Sequence, residues 1–358
     1  MKIVILGLSI TSSWGNGHAT TYRGLVRELC ALGHEVLFLE RDVPWYANSR
    51  DLAQPPFGRT ELYANLGELR DCFAGEIESA DFVIVGSYVP EGVAVGEWVL
   101  KTARGATAFY DIDTPVTLAK LARGDYEYLA PHLIPQFDVY LSFSGGKTLR
   151  VLEDSWGSPC ARPLYCSVDA ELYFPEDVSR KYDLSYLGTY SDDRQPGVER
   201  LLLEPARQWN EGRFAVAGPQ YPPEITWPYN VRRIKHLPPS EHRAFYNASR
   251  WTLNITRADM IAMGHSPSVR LFEAAACATP IVSDWWQGLD EFFAVGTEIC
   301  IAHSTEEALR LLRQMPDDER IEIGQRARHR VLDKHTSHHR ATELESYARQ
   351  ALNRKVSR

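Results

Sequence analysis

The sequence has no excess of positive charge: 39 basic against 47 acidic residues leave a net charge of -8 over 358 residues. That balance argues against a sequence-independent grip on nucleic acid, which needs a strongly cationic surface. Long apolar runs are missing as well. The most apolar later stretch, Phe82 to Leu100, is interrupted by Pro90, Glu91, Glu97 and three glycines, so it does not make a continuous membrane span. The opening MKIVILGLSI turns polar and glycine-rich at once, unlike a secretory signal with its longer apolar region, and reads as a first buried strand. Cysteine is sparse: Cys30, Cys72, Cys160, Cys166, Cys277 and Cys300 form neither a CxxC pair nor a small-domain disulfide framework, which fits reduced thiols in a cytoplasm. No low-complexity segment stands out. His335, His338 and His339 sit in a charged, helix-like tail and make no convincing metal cluster. The expectation is a cytoplasmic protein with no metal, no cofactor, no transmembrane segment and no nucleic-acid partner, with peripheral membrane contact left open.

What is present is an ordinary folded composition, 44% hydrophobic and 24% charged, on a chain longer than one hydrophobic core usually serves. The run Lys2 to Leu8, a loop with Gly15 and Gly17, and the helical spacing of Tyr22, Leu25, Val26, Leu29 and Leu32 precede a second strand at Glu35 to Glu40. This β-loop-α-β unit implies a parallel sheet, because its crossover is right-handed. Strands are also predicted at 81–86, 107–111 and 139–143. A second series follows Pro175, with strands near 184–187, 213–217, 231–234, 251–255 and 280–283. Helices are predicted at 197–209, 240–248, 266–278 and 305–314. The fold class is therefore α/β with two Rossmann-like domains, 1–172 and 173–335, and a closing helix at 336–358 that packs back on the first. Open parallel sheets hold ligands at the carboxyl ends of their strands, so two such sheets facing each other would bind across a cleft.

The strongest motif is the segment His265 to Ser283, HSPSVRLFEAAACATPIVS, in which a polar loop leads into a helix and then a strand. Ser266 is expected to cap that helix, with Pro267 at its first position. The N–H groups of Ser268, Val269 and Arg270 would then face an anion, favoured by both the orphan donors and the helix dipole. Upstream, SYLGTYSDDR places Gly188 and Thr189 in a small-residue loop after a strand and Arg194 just beyond it. A guanidinium there can hold phosphate oxygens bidentately, or simply pair with Asp192 or Asp193.

On these residues the chain resembles the GT-B glycosyltransferases. FEAAACATPIV looks like the nucleotide-sugar segment of the retaining enzymes, and the text around Arg257, Glu273 and Trp285 to Phe293 looks closest to the spore-maturation-protein-like, group 1 family. The resemblance implies a nucleotide-diphosphate sugar as donor and Glu273 as the carboxylate that accepts hydrogen bonds from the ribose. It implies that the Gly188-Thr189 loop and Arg194 meet the diphosphate, and that the turn at Pro238 lies against the base. His265 holds the place of a first glutamate, eight positions before Glu273. Alternatives are a solvated helix carboxylate at Glu273 and an ordinary helix entry at Pro238. Trp285 and Trp286 could stack on a sugar or base, or simply pack.

In the first half, Trp14-Gly-Asn-Gly-His18 resembles the acceptor-side loop of inverting GT-B enzymes, with Gly15 and Gly17 allowing close backbone approach. It lacks the full GxGxxG spacing of a dinucleotide site. His18 could accept a hydroxyl proton, or merely cap a helix. Asp111 and Asp113, two apart on an extended segment, would share a face and could orient His18, bind an acceptor hydroxyl or act as base. The aromatic segment Trp45 to Leu69 reads as an acceptor lid. The acceptor itself is unknown. The reading is metal-free sugar transfer, with retention favoured slightly over inversion. A sugar-nucleotide epimerase and a non-catalytic sugar-nucleotide-binding protein remain as alternatives.

Overall fold

A computed structural model describes residues 1–15 and 17–356. The chain divides into two compact units, one of residues 1–166 with 337–358 and one of residues 167–336. It thus leaves the first unit at Cys166, ahead of the expected boundary at 172.

The first unit is a seven-stranded sheet: β1 (Lys2–Gly7), β2 (Glu35–Arg41), β3 (Arg59–Tyr63), β4 (Phe82–Gly86), β5 (Ala106–Asp111), β6 (Val139–Ser142) and β7 (Ala161–Pro163). All pairings are parallel and the order is β3-β2-β1-β4-β5-β6-β7. β1 and β4 are buried almost throughout, as strands covered on both faces must be. The helix His18–Ala31 buries Tyr22, Leu25, Val26 and Leu29 against the sheet. On its other side Gly24 lies so close to Ser337 that a Cβ would fall 2.3 Å from the hydroxyl. The closing helix Ser337–Val356 packs there, burying Ala341, Leu344, Ala348 and Ala351 at helical spacing.

The expected lid at 45–69 differs from what is found. Its later part is β3, an edge strand in register with β2 from Leu37–Arg59 to Arg41–Tyr63. Arg59, Glu61 and Leu62 are solvent-facing or half-buried, so the sequence there lacks the apolar alternation that marks a strand.

The second unit repeats the design with β8 (Tyr182–Leu187), β9 (Phe214–Ala217), β10 (Val231–Ile234), β11 (Ser249–Asn254), β12 (Ile281–Ser283) and β13 (Cys300–Ile301). The order is β10-β9-β8-β11-β12-β13, again all parallel. Its core gathers Leu184, Tyr186, Leu201, Leu202, Phe214, Trp251 and Leu253. Among the described residues no helix is long and apolar enough to cross a membrane.

Candidate functional site

Each sheet has one point where the strand order reverses, and there the loops at the carboxyl ends part and leave a crevice. In the second unit this point lies between β8 and β11. The loop after β8 carries Gly188, Thr189 and Arg194, and the segment after β11 carries Thr256 and Arg257. The Arg194 guanidinium donates from Nε to Ser191 Oγ (2.8 Å) and from Nη2 to the Thr189 carbonyl (2.5 Å), so the arginine is locked onto its own loop. Arg270 donates from Nη1 to Asn254 Oδ1 (2.8 Å) and lies 5.2 Å over the Tyr186 ring. Burial, joined by the charges of Arg270 and Arg257, pulls Arg194 below its ordinary value. Arg257 meets Asp193 at 3.5 Å. Arg194 thus feels the charges of both other guanidinium groups in a partly desolvated place, an arrangement able to seat a multiply charged anion.

The strand ends are shaped for close approach. Gly218, after β9, has φ +140, and a Cβ there would fall 2.1 Å from the Gly188 carbonyl oxygen. No other residue type fits this conformation and spacing.

The helix expected from Ser266 starts later. It spans Val269–Ala276 with Ser268 at the N-cap position. Ser266 and Pro267 precede it outside the helix, and the Ser268 hydroxyl donates to Asn254 Oδ1 (2.8 Å) instead of capping the helix. The reason is tertiary: Asn254, at the end of β11, gathers both Ser268 and Arg270, and so fixes where the helix can begin. The N–H groups at this terminus are ones the helix itself cannot satisfy.

Glu273 is not a solvated helix carboxylate; it is only 4% exposed. Tyr246 donates its hydroxyl to Glu273 Oε2 (3.1 Å), and His242 Nδ1 stands 3.7 Å from the same oxygen. His265 has φ +46, an uncommon backbone for a residue with a side chain. Its N–H donates to the Gln287 carbonyl (2.6 Å) and its Nδ1 lies 3.1 Å from Glu291 Oε2. Pro238 is the N-cap residue of the helix Pro239–Asn247. Of the tryptophan pair, Trp285 is half exposed, whereas Trp286 is buried against Phe292 and belongs to the core.

In the first unit the reversal lies between β1 and β4. The loop after β1 is pinned from below. The buried Glu40 carboxylate accepts from the N–H groups of Ile10 (2.7 Å) and Thr11 (3.0 Å) and from the hydroxyls of Ser9 and Thr11. Asp51 holds Ser13 and takes a bidentate pair from Arg23. Beyond lie Gly15, with φ +66, and Gly17, the N-cap residue of the helix that His18 opens.

The His18 ring meets Tyr88 edge to face, with centroids 5.4 Å apart. Burial lowers its pKa to about 4, and its Nδ1 is enclosed with no hydrogen-bond partner among the described residues. Tyr88, at φ +63, donates its hydroxyl to Asp113 Oδ2 (3.0 Å). His18 and Asp113 are thus joined through Tyr88, a residue that sequence reasoning passed over; its place just after β4, at the reversal point, is the signal that could have found it.

Asp111 corrects the expectation of two carboxylates on one face. It is fully buried and accepts from Tyr140 (2.6 Å), Thr117 (2.7 Å) and the Asp113 N–H (3.3 Å). Burial raises its pKa to about 6. Asp111 therefore holds the turn that presents Asp113 and has no surface of its own to offer a substrate. The extended geometry that would align the two ends at Asp111, where β5 stops.

Among the described residues no group of three His, Cys, Asp or Glu side chains is gathered as a metal site would need. Tyr246 and His242 were also missed as site residues, because each sits outside the motifs, and Arg257, though part of the text that carries the resemblance, was given no role at the site.

The fold and the two crevices define a GT-B protein, with two Rossmann-like units. Residues 194–346 match a family model described as glycosyl transferase-like. Solved structures agree over nearly the full length. A sucrose-phosphate synthase from Thermosynechococcus elongatus has 14% identity and TM-score 0.71, covering 98% of this chain and 99% of its own. An alpha-glucosyltransferase in complex with UDP has 13% identity and TM-score 0.72, covering 97% and 99%. The Anabaena protein HepE in complex with UDP and glucose has 11% identity and TM-score 0.70, covering 97% and 98%. A search of curated protein sequences gives no significant match.

Proposed function

We propose that this protein is a cytoplasmic glycosyltransferase that moves a sugar from a nucleoside-diphosphate donor to an acceptor hydroxyl. The observation that carries the reading is the set Arg194, Arg257 and Arg270 at the reversal point of the second sheet, beside the first turn of the helix Val269–Ala276. When the bond from sugar to diphosphate breaks, negative charge builds on the departing phosphate, and fixed cations and helix N–H groups stabilise it most where water is excluded. These groups can carry that charge without a metal. Gly188, Thr189, Ser268, Val269 and His265 complete the donor side, Glu273 takes the ribose and Pro238 the base. Similarity to proteins with bound UDP supports UDP as the nucleotide of the donor.

His18 and Asp113 are assigned to the acceptor, with Gly15 and Gly17 leaving room for it. An imidazole with a pKa of about 4 is neutral at pH 7 but gives little drive as a general base. That favours retention, in which the acceptor proton passes to the departing diphosphate on the same face of the sugar. The acidic net charge of -8 argues against a nucleic-acid acceptor, and six free thiols suit a reducing compartment.

The test is calorimetric titration with UDP, GDP, dTDP and CDP, comparing wild type with Glu273→Ala. Binding of UDP, weakened about tenfold or more by the loss of a charged acceptor, supports the reading. If all four fail to bind to folded protein, sugar transfer is the wrong function.

A further inference from the structure

The Glu273 carboxylate sits in a cage that the reading above does not use. His242, on the helix Pro239–Asn247, has its Nε2 3.2 Å from the Leu237 carbonyl oxygen. A carbonyl only accepts, so Nε2 carries the hydrogen, and in the neutral ring Nδ1 bears the lone pair. That lone pair faces the Tyr173 hydroxyl at 3.4 Å and lies 3.7 Å from Glu273 Oε2. Tyr173 and Tyr246 are both buried, and burial, followed by the nearby Glu273 charge, raises both phenols well above their ordinary value. Both therefore stay protonated as donors.

One donor more or less decides how Glu273 is occupied. Tyr246 already takes one position on Oε2. Tyr173 has two acceptors within reach, the His242 lone pair and the carboxylate. While Nδ1 accepts the Tyr173 hydrogen, the carboxylate keeps lone pairs for an incoming diol. Without that acceptor the Tyr173 hydroxyl turns to Glu273 and competes with the ligand. The other ring nitrogen holds the turn Leu237-Pro238.

We propose that His242 is a positioning residue with two separable arms: Nδ1 keeps Glu273 open for ribose hydroxyls, and Nε2–H sets the turn that meets the base. The proposal rests on the donor reading above, in which Glu273 and Pro238 face a nucleotide.

The two arms predict opposite failures. His242→Asn keeps an oxygen near Nδ1 but cannot reach Leu237. His242→Gln places an amide N–H near Nε2 but offers no acceptor to Tyr173. Calorimetry with UDP, 2′-deoxy-UDP and CDP gives two ratios for each protein. Wild type is expected to prefer UDP over 2′-deoxy-UDP by about tenfold, the scale of one hydrogen bond to a charged acceptor. His242→Gln is expected to lose this ribose preference and keep the UDP-to-CDP ratio. His242→Asn is expected to keep the ribose preference and lose base selectivity. A side chain that only packs would change all affinities together, so equal shifts in both ratios, or none, overturn the proposal while leaving the donor reading intact. If wild type binds neither UDP nor 2′-deoxy-UDP, the donor reading fails and this inference falls with it.

Discussion

The two units share a sheet design and differ in the chemistry at its reversal point. In the second unit the crevice is cationic, built from Arg194, Arg257 and Arg270, with Asp193 as ion-pair partner of Arg257. In the first it is aromatic and weakly acidic, built from His18, Tyr88 and Asp113, with an imidazole that burial keeps neutral. On the proposed function, one fold thus supplies a place for phosphate charge and, separately, a place for an uncharged hydroxyl. The loops that carry the difference are held in different ways. Arg194 grips its own loop through Ser191 and Thr189, whereas the His18 loop is held from outside by Glu40 and Asp51.

If the division is real, the two crevices should fail separately. The largest effect is expected for Arg194→Ala, which should weaken UDP binding by about 100-fold, since a charge-assisted contact to phosphate is worth about 1.5–3 kcal/mol. Titration calorimetry on the variant measures it. A loss under threefold would remove Arg194 from the phosphate seat.

A smaller effect is expected for Asp113→Asn. Turnover of UDP-sugar in the presence of acceptor should fall about tenfold, in line with a lost hydrogen bond in the transition state, while UDP affinity stays within twofold of wild type. A matching loss of UDP affinity would mean that the crevices are not independent.

The smallest net effect is in the pH dependence of stability, where His18 and Asp111 act with opposite sign and largely offset each other. His18 has a folded pKa of about 4 against an ordinary 6.5, so the unfolded chain takes up its proton first and stability falls as pH drops from about 6.5 towards 4. Asp111 has a folded pKa of about 6 against an ordinary 3.8. The folded chain takes up that proton first, and stability rises as pH drops through about 6. Urea unfolding of His18→Ala should therefore lack the acid loss, and that of Asp111→Asn should lack the acid gain. Slopes identical to wild type in both would show that neither group titrates as buried.

Much of this was legible in the chain. The helical spacing of Tyr22, Leu25, Val26 and Leu29 and the apolar strands β1, β4, β5, β8 and β11 declare themselves, because burial of alternate turns or whole strands leaves a periodic mark. The edge strand β3 did not, since an edge faces solvent and its residues look like loop. The segment from His265 to Ser283 announced a loop leading into a helix and a strand, yet the start of its helix was misplaced by competition for Asn254, which lies fourteen residues before Ser268.

The residues of the crevices divide along the same line. Arg194, Glu273, His18 and Asp113 stand in local patterns of small, polar and charged residues at strand ends, and chain order alone singled them out. Tyr88, His242 and Tyr246 carry no such mark, and Arg257 stands in the resembling text without a role of its own. They reach the site because the sheet order sets β4 beside β1 and β11 beside β8, bringing together loops far apart in sequence. Asp111 shows the converse: it sits in a promising pattern, but the side chains of Tyr140 and Thr117 close over it. The sequence by itself determined which segments form strands and helices, because periodicity and turn chemistry are local. Which polar groups meet, and which are shut away from solvent, only the tertiary structure decided, because burial and hydrogen-bond pairing depend on neighbours that the order of residues does not name.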